Sequence, residues 1–493
     1  MQSISILFMT MKMTRRVFCM LVLLCLIQLH GQDVYNIADR REVFVDQYLM
    51  DKADGVRLEL KDPVDEGEVF AFDKPWEGAF CGYGTLLQDQ GLLRMYYRGL
   101  PDAGRDGSSL EVTCYAESKD GIHWVKPDLN LFPLPDHPVN NIILTGEAPA
   151  SHNFCPFIDT HPNAHPRQRY KALAGISTSG LLAFVSEDGI RWTKLLDAPV
   201  FKPEGWVLDS QNVPFWSEAE SKYVLYYRST VNGVRAIARA TSSNFTHWET
   251  EGQMIYSDTE SSQPSHHLYT NQTQPYFRAP HVYLATAARF FPGRKVLTDE
   301  QAEAIKVHPK YFNDTSDSVL MSSRGGLDYD RTFMSALIRP GIGAKNWVSR
   351  SNYPVLGLAQ TGGASMSLYV NQDYGQPSAH VHRYSFRLDG LSCLSAGYKE
   401  GEWISRPLQW SGDRLFFNFS TSAAGYLKVE LLHADGVPIT GYTLQDGAEL
   451  IGNEIDRAYR WNSGEVIRLD RSHPIRLRVH SLSTQLHLAR CNP

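Results

Sequence analysis

A short hairpin motif recurs along the chain and limits the available folds more than any other feature. Residues 118–124 read Ser-Lys-Asp-Gly-Ile-His-Trp and residues 186–192 read Ser-Glu-Asp-Gly-Ile-Arg-Trp, with degenerate copies at 242–248 and 322–329. Asp-Gly between β-prone segments predicts a tight turn, because both residues tolerate positive φ. Intervals of roughly 55 to 80 residues between the copies are typical of propeller blades or other β-arrays.

A second repeat precedes each hairpin. Tyrosine-rich segments that end in arginine cover 94–98, 222–228 and 282–289, and 170–174 fills the same place without arginine. Before each of these lies a segment that opens with polar residues and predicts an inner strand. Five such segments predict five blades of about four antiparallel strands each: 77–87, 151–159, 209–216, 270–277 and 352–358. The fifth blade is the least regular, with later strands predicted at 367–370 and 382–388.

The hairpin repeat stops near residue 400. Further on, strand-like runs at 414–419, 426–432 and 475–480 are separated by Gly, Asp and Asn turns, which predicts a β-sandwich. One helix interrupts the repeats, because Thr298 and Gln301 fit a capping box and the pattern continues to about residue 307. We therefore expect an all-β protein, with a five-bladed β-propeller over residues 33–397 and a C-terminal β-sandwich over 398–493.

The first residues have the pattern of a secretory signal. Lys12, Arg15 and Arg16 precede an apolar run over 17–29, which is too short to span a bilayer comfortably. A membrane anchor is the alternative. We expect a signal peptide over 1–32, cleaved near residue 32, and no membrane span in the mature chain. The protein is then exported to the periplasm or the extracellular space.

Charge and composition exclude several other classes of site. Net charge is −6 and no cluster of Lys and Arg follows the first residues, so no nucleic-acid partner is expected. Histidines at 161–165 and 266–267 lack ligand spacing, so we expect neither a metal nor another cofactor. Five cysteines follow the signal and are expected as buried thiols: Cys81, Cys114, Cys155, Cys393 and Cys491.

Propeller geometry sorts the polar residues into two faces. The start of a blade's first strand and the end of its second share one face, and the Asp-Gly hairpins lie on the other. Glu77 and Asp209 stand at the starts of inner strands, so we expect both on the pocket face. The predicted substrate-binding residues there are arginines, amides and aromatic residues: Arg98, Arg228, Arg289, Asn153, Gln211, Asn212, Asn271, Trp76, Tyr83, Trp206 and Tyr269.

This combination of residue types suits a carbohydrate. Glycosidic cleavage needs two carboxyl groups, one to protonate the leaving oxygen and one to activate water or attack carbon. Glu77 and Asp209 belong to non-adjacent blades and are the predicted catalytic pair, facing each other across the channel. For each of them the alternative is a salt bridge to a neighbouring arginine. If the arginines lack carboxylate partners, an acidic sugar is expected; otherwise they neutralise pocket carboxylates.

Two long connections begin on the pocket face, at 99–111 and 290–316. A connection as long as 290–316 is usually a functional lid or a disordered segment. We expect both to form walls around the channel mouth, which favours a glycoside hydrolase that acts on chain ends. The alternative is a propeller that binds glycans without catalysis.

Several segments also resemble a known group of exported bacterial proteins. These segments are 41–46 (Arg-Glu-Val-Phe-Val-Asp), 75–78 (Pro-Trp-Glu-Gly), 115–124, 209–212, 268–271 and 411–415. The group is described as similar to the N-terminal propeller of glycoside hydrolase family 32, which pairs a five-bladed propeller with a C-terminal β-sandwich. That family's Trp-Met-Asn-Asp-Pro-Asn-Gly, Arg-Asp-Pro and Glu-Cys motifs are absent from this chain. The resemblance therefore implies a fold and a carbohydrate substrate, and no catalytic residue is carried over.

Overall fold

The structure is a computed structural model that describes residues 34–102, 107–205 and 207–492. The predicted signal peptide and Trp206 lie outside the described residues. Strands make up 49% of the chain and helices 4%, so the protein is all-β. Within the described ranges, no helix is long and apolar enough to cross a membrane.

The first five strands serve two different parts of the molecule. They are β1 (Tyr35–Ala38), β2 (Arg41–Val43), β3 (Met50–Asp54), β4 (Val56–Leu60) and β5 (Val64–Ala71). The first four pair with strands near the C-terminus. The fifth pairs antiparallel with a strand more than 300 residues later in the chain, where Val381 lies opposite Phe70.

Among the described residues, the strands that follow form a nine-stranded sheet, three four-stranded sheets and a two-stranded one. We divide them into five mainly antiparallel groups, the first and last of which are the two halves of the nine-stranded sheet. Group one contains β6 (Gly82–Asp89), β7 (Leu92–Gly99), β8 (Val112–Ser118), β9 (Trp124–Val125) and β10 (Ile142–Leu144). Group two contains β11 (Cys155–Ile158), β12 (Tyr170–Ala174), β13 (Leu182–Ser186) and β14 (Thr193–Lys194). Group three contains β15 (Val213–Ser217), β16 (Lys222–Val231), β17 (Val234–Ser242) and β18 (Glu249–Gln253).

The last two groups are less regular. Beside group four, β19 (Ile255–Tyr256) pairs parallel with β24 (Asp328–Tyr329). Group four itself contains β20 (His267–Thr270), β21 (Thr273–Tyr276), β22 (Ala279–Phe291) and β23 (Thr315–Ser323). Group five contains β25 (Tyr353–Gln360), β26 (Ser365–Gln372), β27 (His380–Arg387) and, as its outer strand, β5 from the start of the chain.

Each of the five predicted inner-strand segments contains a strand, namely β6, β11, β15, β21 and β25. These strands contact one another in chain order, and the last also contacts the first. Leu356 of β25 pairs parallel with Thr85 of β6 at that junction. The inner strands therefore surround a common axis, which places their starting ends close together. The division into five blades of one disc stays a prediction.

Three copies of the hairpin motif have the same hydrogen-bond network. In the first, the Ser118 hydroxyl accepts from Gly121 N at 2.9 Å. The Asp120 carboxylate accepts from the backbone N–H groups of Ile122 and His123, both at 2.8 Å. The Trp124 indole N–H donates to the carbonyl of Gly121. Residues 186–192 and 242–248 repeat every one of these bonds. The motif joins third and fourth strands, as predicted, and its role is structural.

The one α-helix in the described ranges is α1 (Asp299–Ala304), and its predicted capping box is confirmed. Gln301 N donates to the Thr298 hydroxyl, and Thr298 N donates to the Gln301 side-chain oxygen. The helix is shorter than predicted, because Lys306 has a φ of 56° and cannot continue it. Short 3₁₀ helices cover Ala150–Asn153, Pro166–Gln168 and Pro309–Tyr311.

The C-terminal strands form a separate sheet. They are β28 (Ser392–Ala396), β29 (Gly401–Ser405), β30 (Leu408–Trp410), β31 (Arg414–His433), β32 (Asn453–Ala458) and β33 (Ile475–Asn492). Two of the predicted runs belong to one strand, β31, with a register shift between Thr421 and Tyr426. This sheet also contains β1–β4. The boundary at 397/398 and the sandwich stay predictions, and the pairing adds residues 35–60 to this sheet.

Candidate active site

A pocket lies at the starting ends of the inner strands of groups one, four and five. The pocket is narrow and partly open to solvent. The polar side chains are mostly arginines, tyrosines and amides. The lining residues are Gly82, Tyr83, Gly84, Arg98, Thr270, Gln272, Arg350, Tyr353, Pro354, Val355, Asn371 and Tyr374. The sequence prediction of a pocket on this face included Tyr83 and Arg98.

Several lining residues have unusual backbone conformations. Tyr83, Gln272 and Arg350 have φ values of 50°, 47° and 62°, in the left-handed region that side chains with a β-carbon rarely adopt. At Tyr83 the strand pairing shifts register between Gly82 and Thr85, which turns this side chain towards the pocket edge. Strained residues cluster where the surrounding structure holds side chains for a function.

Buried amides cross the channel below the pocket. Gln211 Nε2 donates to Thr85 Oγ1 at 2.6 Å, and Gln272 Nε2 donates to Gln211 Oε1 and to the Pro354 carbonyl, both at 2.8 Å. These bonds join strands from four of the five groups. Gln211 was predicted to bind substrate, but it is fully buried and connects the inner strands instead.

The three predicted asparagines have the same structural role. Asn153, Asn212 and Asn271 are each about 1% exposed and stand shortly before an inner strand. Their amide groups donate to backbone carbonyls, for Asn153 those of Leu208 and Ser210. Because buried amides must satisfy their hydrogen bonds, these residues hold the connections between groups and do not reach the pocket.

Asp209 forms a salt bridge with Arg228, which is the alternative that the sequence analysis gave for this carboxylate, and its catalytic role stays a prediction. Arg228 Nη2 donates to Asp209 Oδ2 at 2.5 Å. The side chain of Asp209 is 35% exposed, while that of Arg228 is 4% exposed. The Asp209 carboxylate is thus partly open to solvent, and the arginine that holds it is buried. Leu208, with a φ of 63°, forms the turn that brings Asp209 here.

Tyr269 lies inside a group of guanidinium ions that we name the arginine cluster, Arg228, Arg235 and Arg350. Their guanidinium carbons lie 4.8, 5.2 and 5.6 Å from the ring centroid of Tyr269. Burial acts to raise the pKa of the Tyr269 phenol, but Arg350, Arg228 and Arg235 together hold that pKa below its ordinary value, against an opposing effect of Asp209. A phenol with a lowered pKa exchanges protons more readily near neutral pH.

Arg98 forms another part of the pocket wall. Its Nη2 donates to the carbonyl of Phe80 at 3.0 Å, and its guanidinium lies 4.8 Å from the ring centroid of Tyr83. Glu111, fully buried, lies 2.8 Å from the Nδ1 of His152 and 3.7 Å from the Nη1 of Arg98. Arg98 is therefore held by a buried carboxylate while one side of it faces the pocket.

Glu77 lies in the core of group one and does not line the pocket. Its carboxylate is fully buried and accepts from Tyr97 Oη at 2.6 Å, Lys126 Nζ at 2.7 Å and Lys74 N at 2.9 Å. Trp76 belongs to the same region and donates its indole N–H to Asn141. Glu77 is therefore in a salt bridge, as the alternative had it, but with a lysine in place of the expected arginine. Glu77 and Trp76 therefore have structural roles.

Arg289 belongs to a different pocket. It donates to both oxygens of Asp317, at 2.8 and 2.7 Å, and to the carbonyl of Met334. That second pocket is lined by Phe291 and Trp347 among others. All three predicted arginines thus have a carboxylate neighbour, Glu111, Asp209 or Asp317. The acidic-sugar hypothesis required that Arg98, Arg228 and Arg289 have no carboxylate partners. The structure does not support that requirement.

The long connection after β22 packs beside the pocket. Tyr311 from this connection contacts Phe80 and Tyr374, with ring centroids 5.6 and 5.1 Å apart, and lies against the guanidinium of Arg350. A small hydrophobic cluster that includes Leu297 and Ala302 fixes the helix α1 behind it. The other long connection contains residues 103–106, which lie outside the described ranges.

Sequence reasoning missed Arg235, Arg350 and Tyr374. A positional signal was present for Arg350, because Asn271 and Asn352 both precede inner strands and Tyr269 and Arg350 each stand two positions earlier. Aligning the repeats on the asparagine would have placed Arg350 beside Tyr269. No comparable signal marks Arg235 or Tyr374. In the described part of the chain, no group of three or more His, Cys, Asp or Glu residues is arranged to hold a metal ion.

Comparison with known proteins gives distant structural similarity and nothing at the sequence level. No family model and no curated protein matches the chain. Two solved structures, a BT0996 RGII complex and a glycoside hydrolase, each share 10% identity, with a TM-score of 0.46 over 66% of this chain and 92% of theirs. A fructofuranosidase from Schwanniomyces occidentalis, complexed with fructosylnystose, shares 11% identity, with a TM-score of 0.38 over 88% of this chain and 99% of its own. Similarity at this level identifies neither a family nor a reaction.

Proposed function

We propose that the protein is a glycoside hydrolase whose pocket binds an oligo- or polysaccharide. The observation that carries this proposal is Asp209, a partly exposed carboxylate held by Arg228 beside a tyrosine whose pKa is lowered. In the same proposal, the five strand groups are the blades of a propeller and the chain is exported after cleavage near residue 32. The ring of contacts among the inner strands supports the first of these.

The reaction needs one group that donates a proton and one that accepts a proton. We assign the donor to Tyr269, in the place where the paired-carboxylate prediction had Glu77. Its phenol gives a proton to the glycosidic oxygen as the bond from that oxygen to the anomeric carbon breaks. Asp209 takes a proton from a water molecule, whose oxygen bonds to the anomeric carbon. Solvent then returns the proton to Tyr269 and removes the one on Asp209.

The wall beside the pocket favours action on chain ends. Tyr311 and α1 close one side of the opening, next to Arg350 and Tyr374. A saccharide end enters such a pocket more readily than the middle of a long chain. We therefore propose exo-action. A rapid fall in viscosity of a long polysaccharide, caused by the intact protein, would contradict it.

The test is hydrolysis by the mature chain, residues 33–493, on a panel of plant and host glycans. For any glycan that is cleaved, Asp209→Asn should lower kcat/KM by about 10²- to 10⁴-fold, the usual contribution of a positioned acid or base. Asp197→Asn changes an exposed carboxylate outside the pocket and should have wild-type activity. Equal activity of Asp209→Asn and Asp197→Asn would refute the assignment.

A non-catalytic glycan-binding protein is the second candidate. The observation that favours it is the absence of a carboxylate among the described residues that line the pocket. Glycan binding by the wild-type protein, measured by calorimetry, without hydrolysis of any glycan that binds, would establish this candidate and exclude the first.

A further inference from the structure

We propose that the inner end of the pocket recognises one hydroxyl group of a bound sugar, which donates its hydrogen to Gln272 Oε1 and accepts the hydrogen of Tyr353 Oη. This inference rests on the proposed saccharide pocket and makes Gln272 and Tyr353 its specificity-determining residues. The substrate is then a sugar in which this hydroxyl is free, with no ether, ester or deoxy carbon at that position.

The two residues stand at the starting ends of neighbouring inner strands. Gln272 directly precedes β21 of group four, and Tyr353 is the first residue of β25 in group five. Both line the pocket. Gln272 Nε2 donates to the carbonyl of Pro354, the residue that follows Tyr353, at 2.8 Å. Gln272 and Tyr353 are therefore neighbours in the pocket wall.

The amide of Gln272 has only one possible orientation. The carbonyl of Pro354 accepts hydrogen bonds and cannot donate one, so the atom of Gln272 that faces it must be Nε2. The other hydrogen of this nitrogen goes to Gln211 Oε1. Gln272 is 2% exposed, and no group among the described residues donates to its Oε1. Because a buried acceptor without a donor costs free energy, this oxygen suits a hydroxyl group of a ligand.

Tyr353 supplies the complementary group. Its ring packs against that of Tyr269, with the centroids 5.3 Å apart, so the ring is positioned before a ligand binds. Tyr353 is 8% exposed, and its buried hydroxyl forms no hydrogen bond with any part of the chain that the structure describes. A sugar hydroxyl can accept from this phenol and donate to Gln272 Oε1, so that a single group satisfies both residues.

The chemistry of these two groups favours a free hydroxyl over its derivatives. An ether or ester oxygen has no hydrogen to donate to Gln272 Oε1. The pocket is narrow, so we expect one hydroxyl, and not a whole sugar ring, to reach between the two residues. Sites that pair a substrate hydroxyl with buried polar groups discriminate strongly against an analogue without it, because the polar groups then stay unpaired.

The test is calorimetric binding of the methyl glycosides of glucose, galactose and mannose, with the monodeoxy and monodeoxyfluoro analogues at each of their hydroxyls. For a glycoside that binds, loss of one particular hydroxyl should raise Kd about 10- to 100-fold, as expected when buried polar groups lose their partner. Fluorine has no hydrogen to donate to Gln272 Oε1, so the fluoro analogue at that position should bind as weakly as the deoxy analogue.

Tyr353→Phe connects this discrimination to the proposed residues. The variant should bind the parent glycoside more weakly and lose most of the discrimination at that one position, because the deoxy analogue then leaves only Gln272 unpaired. Tyr398→Phe removes an exposed phenol outside the pocket and should discriminate as the wild type does. Wild-type discrimination by Tyr353→Phe overturns the inference. So does equal binding of all the deoxy analogues to the wild type, the result expected if a water molecule occupies this place.

These measurements need no turnover, which separates the two proposals. If one hydroxyl is recognised through Tyr353 but no glycan is hydrolysed, the inference stands and the hydrolase proposal fails. If a glycan is hydrolysed but the deoxy analogues bind as well as their parent, the hydrolase proposal stands and the inference fails. Absence of binding by every glycoside in the set also overturns the inference, while hydrolysis of any glycan still supports the hydrolase.

Discussion

Glu77 and Asp209 occupy similar places in the sequence and very different places in the molecule. Both stand shortly before an inner strand, and both carboxylates pair with a basic side chain. Glu77 is fully buried, with Lys126, Tyr97 and the Lys74 backbone around it. Asp209 has Arg228 on one side and solvent on the other, with its side chain 35% exposed.

Among the described residues, Glu77 accepts from three donors and Asp209 from one, and the different roles proposed for the two carboxylates rest on this difference. All the space around Glu77 is filled by donors from its own group, so no substrate can reach it. Asp209 is supported by one buried arginine, which leaves an oxygen available to water or a sugar. The basic partners also differ, since Lys126 comes from a loop on the outside of group one and Arg228 from the second strand of group three.

The largest effect that tests this comparison is on stability. Glu77→Gln removes the buried carboxylate oxygen that accepts from both Lys126 Nζ and Lys74 N, while Lys126 keeps Asp73 and the Ala71 carbonyl as partners. Losing hydrogen bonds to a charged group costs about 1.5–3 kcal/mol each. We expect a loss of this size in the free energy of unfolding, measured by urea denaturation, while the folded protein keeps its kcat/KM. Wild-type stability combined with a loss of activity would make Glu77 a catalytic group and remove the distinction.

An intermediate effect is expected from the buried amides. Gln211→Leu removes the donor to Thr85 and the acceptor for Gln272, which leaves polar groups unsatisfied in the channel. Each such group costs about 1–3 kcal/mol. The melting temperature should fall and KM should remain near the wild-type value. A raised KM with unchanged melting would place Gln211 with Asp209 in the binding site.

The smallest effect on stability is expected at Asp209 itself. Arg228 is buried, but the side chain at position 209 is 35% exposed and asparagine keeps an oxygen that can accept from Arg228. Asp209→Asn should therefore lose about 1–2 kcal/mol of unfolding free energy in the same urea titration, less than Glu77→Gln. Global destabilisation on the scale of Glu77→Gln would show that both carboxylates are structural and would leave the site without its proposed base.

Much of the fold is predictable from short stretches of sequence. The hairpins at 118–124 and 186–192 contain all their own hydrogen-bond partners within seven residues. The inner strands and the capping box of α1 are likewise local patterns. The pairing of β5 with β27 was not predicted, because its partner lies more than 300 residues away and no turn connects them.

The candidate site was predicted in part, for the same reason. Tyr83 and Arg98 line the pocket, as the shared face of strand starts and ends implies. Tyr269 lies against Arg350 and Tyr353 of its wall, with Arg228 and Asp209 next to Tyr269. The predicted amides, Trp76, Glu77 and Arg289 do not line the pocket, since their environments depend on partners outside their own segments. Lys126, the partner of Glu77, is 49 positions away, and the Thr85 partner of Gln211 is 126 positions away.

The sequence by itself determined where the chain turns, which segments become inner strands and which residue types stand at their starts, because turn chemistry and strand periodicity act over a few residues. Only the tertiary structure decided which of two similar carboxylates meets solvent and which arginines surround Tyr269. Exposure and electrostatic potential are properties of everything packed around a group. For Asp209 and Tyr269, that surrounding is supplied by two separate parts of the chain, the hairpin that contains Arg228 and Arg235 and the segment that contains Arg350.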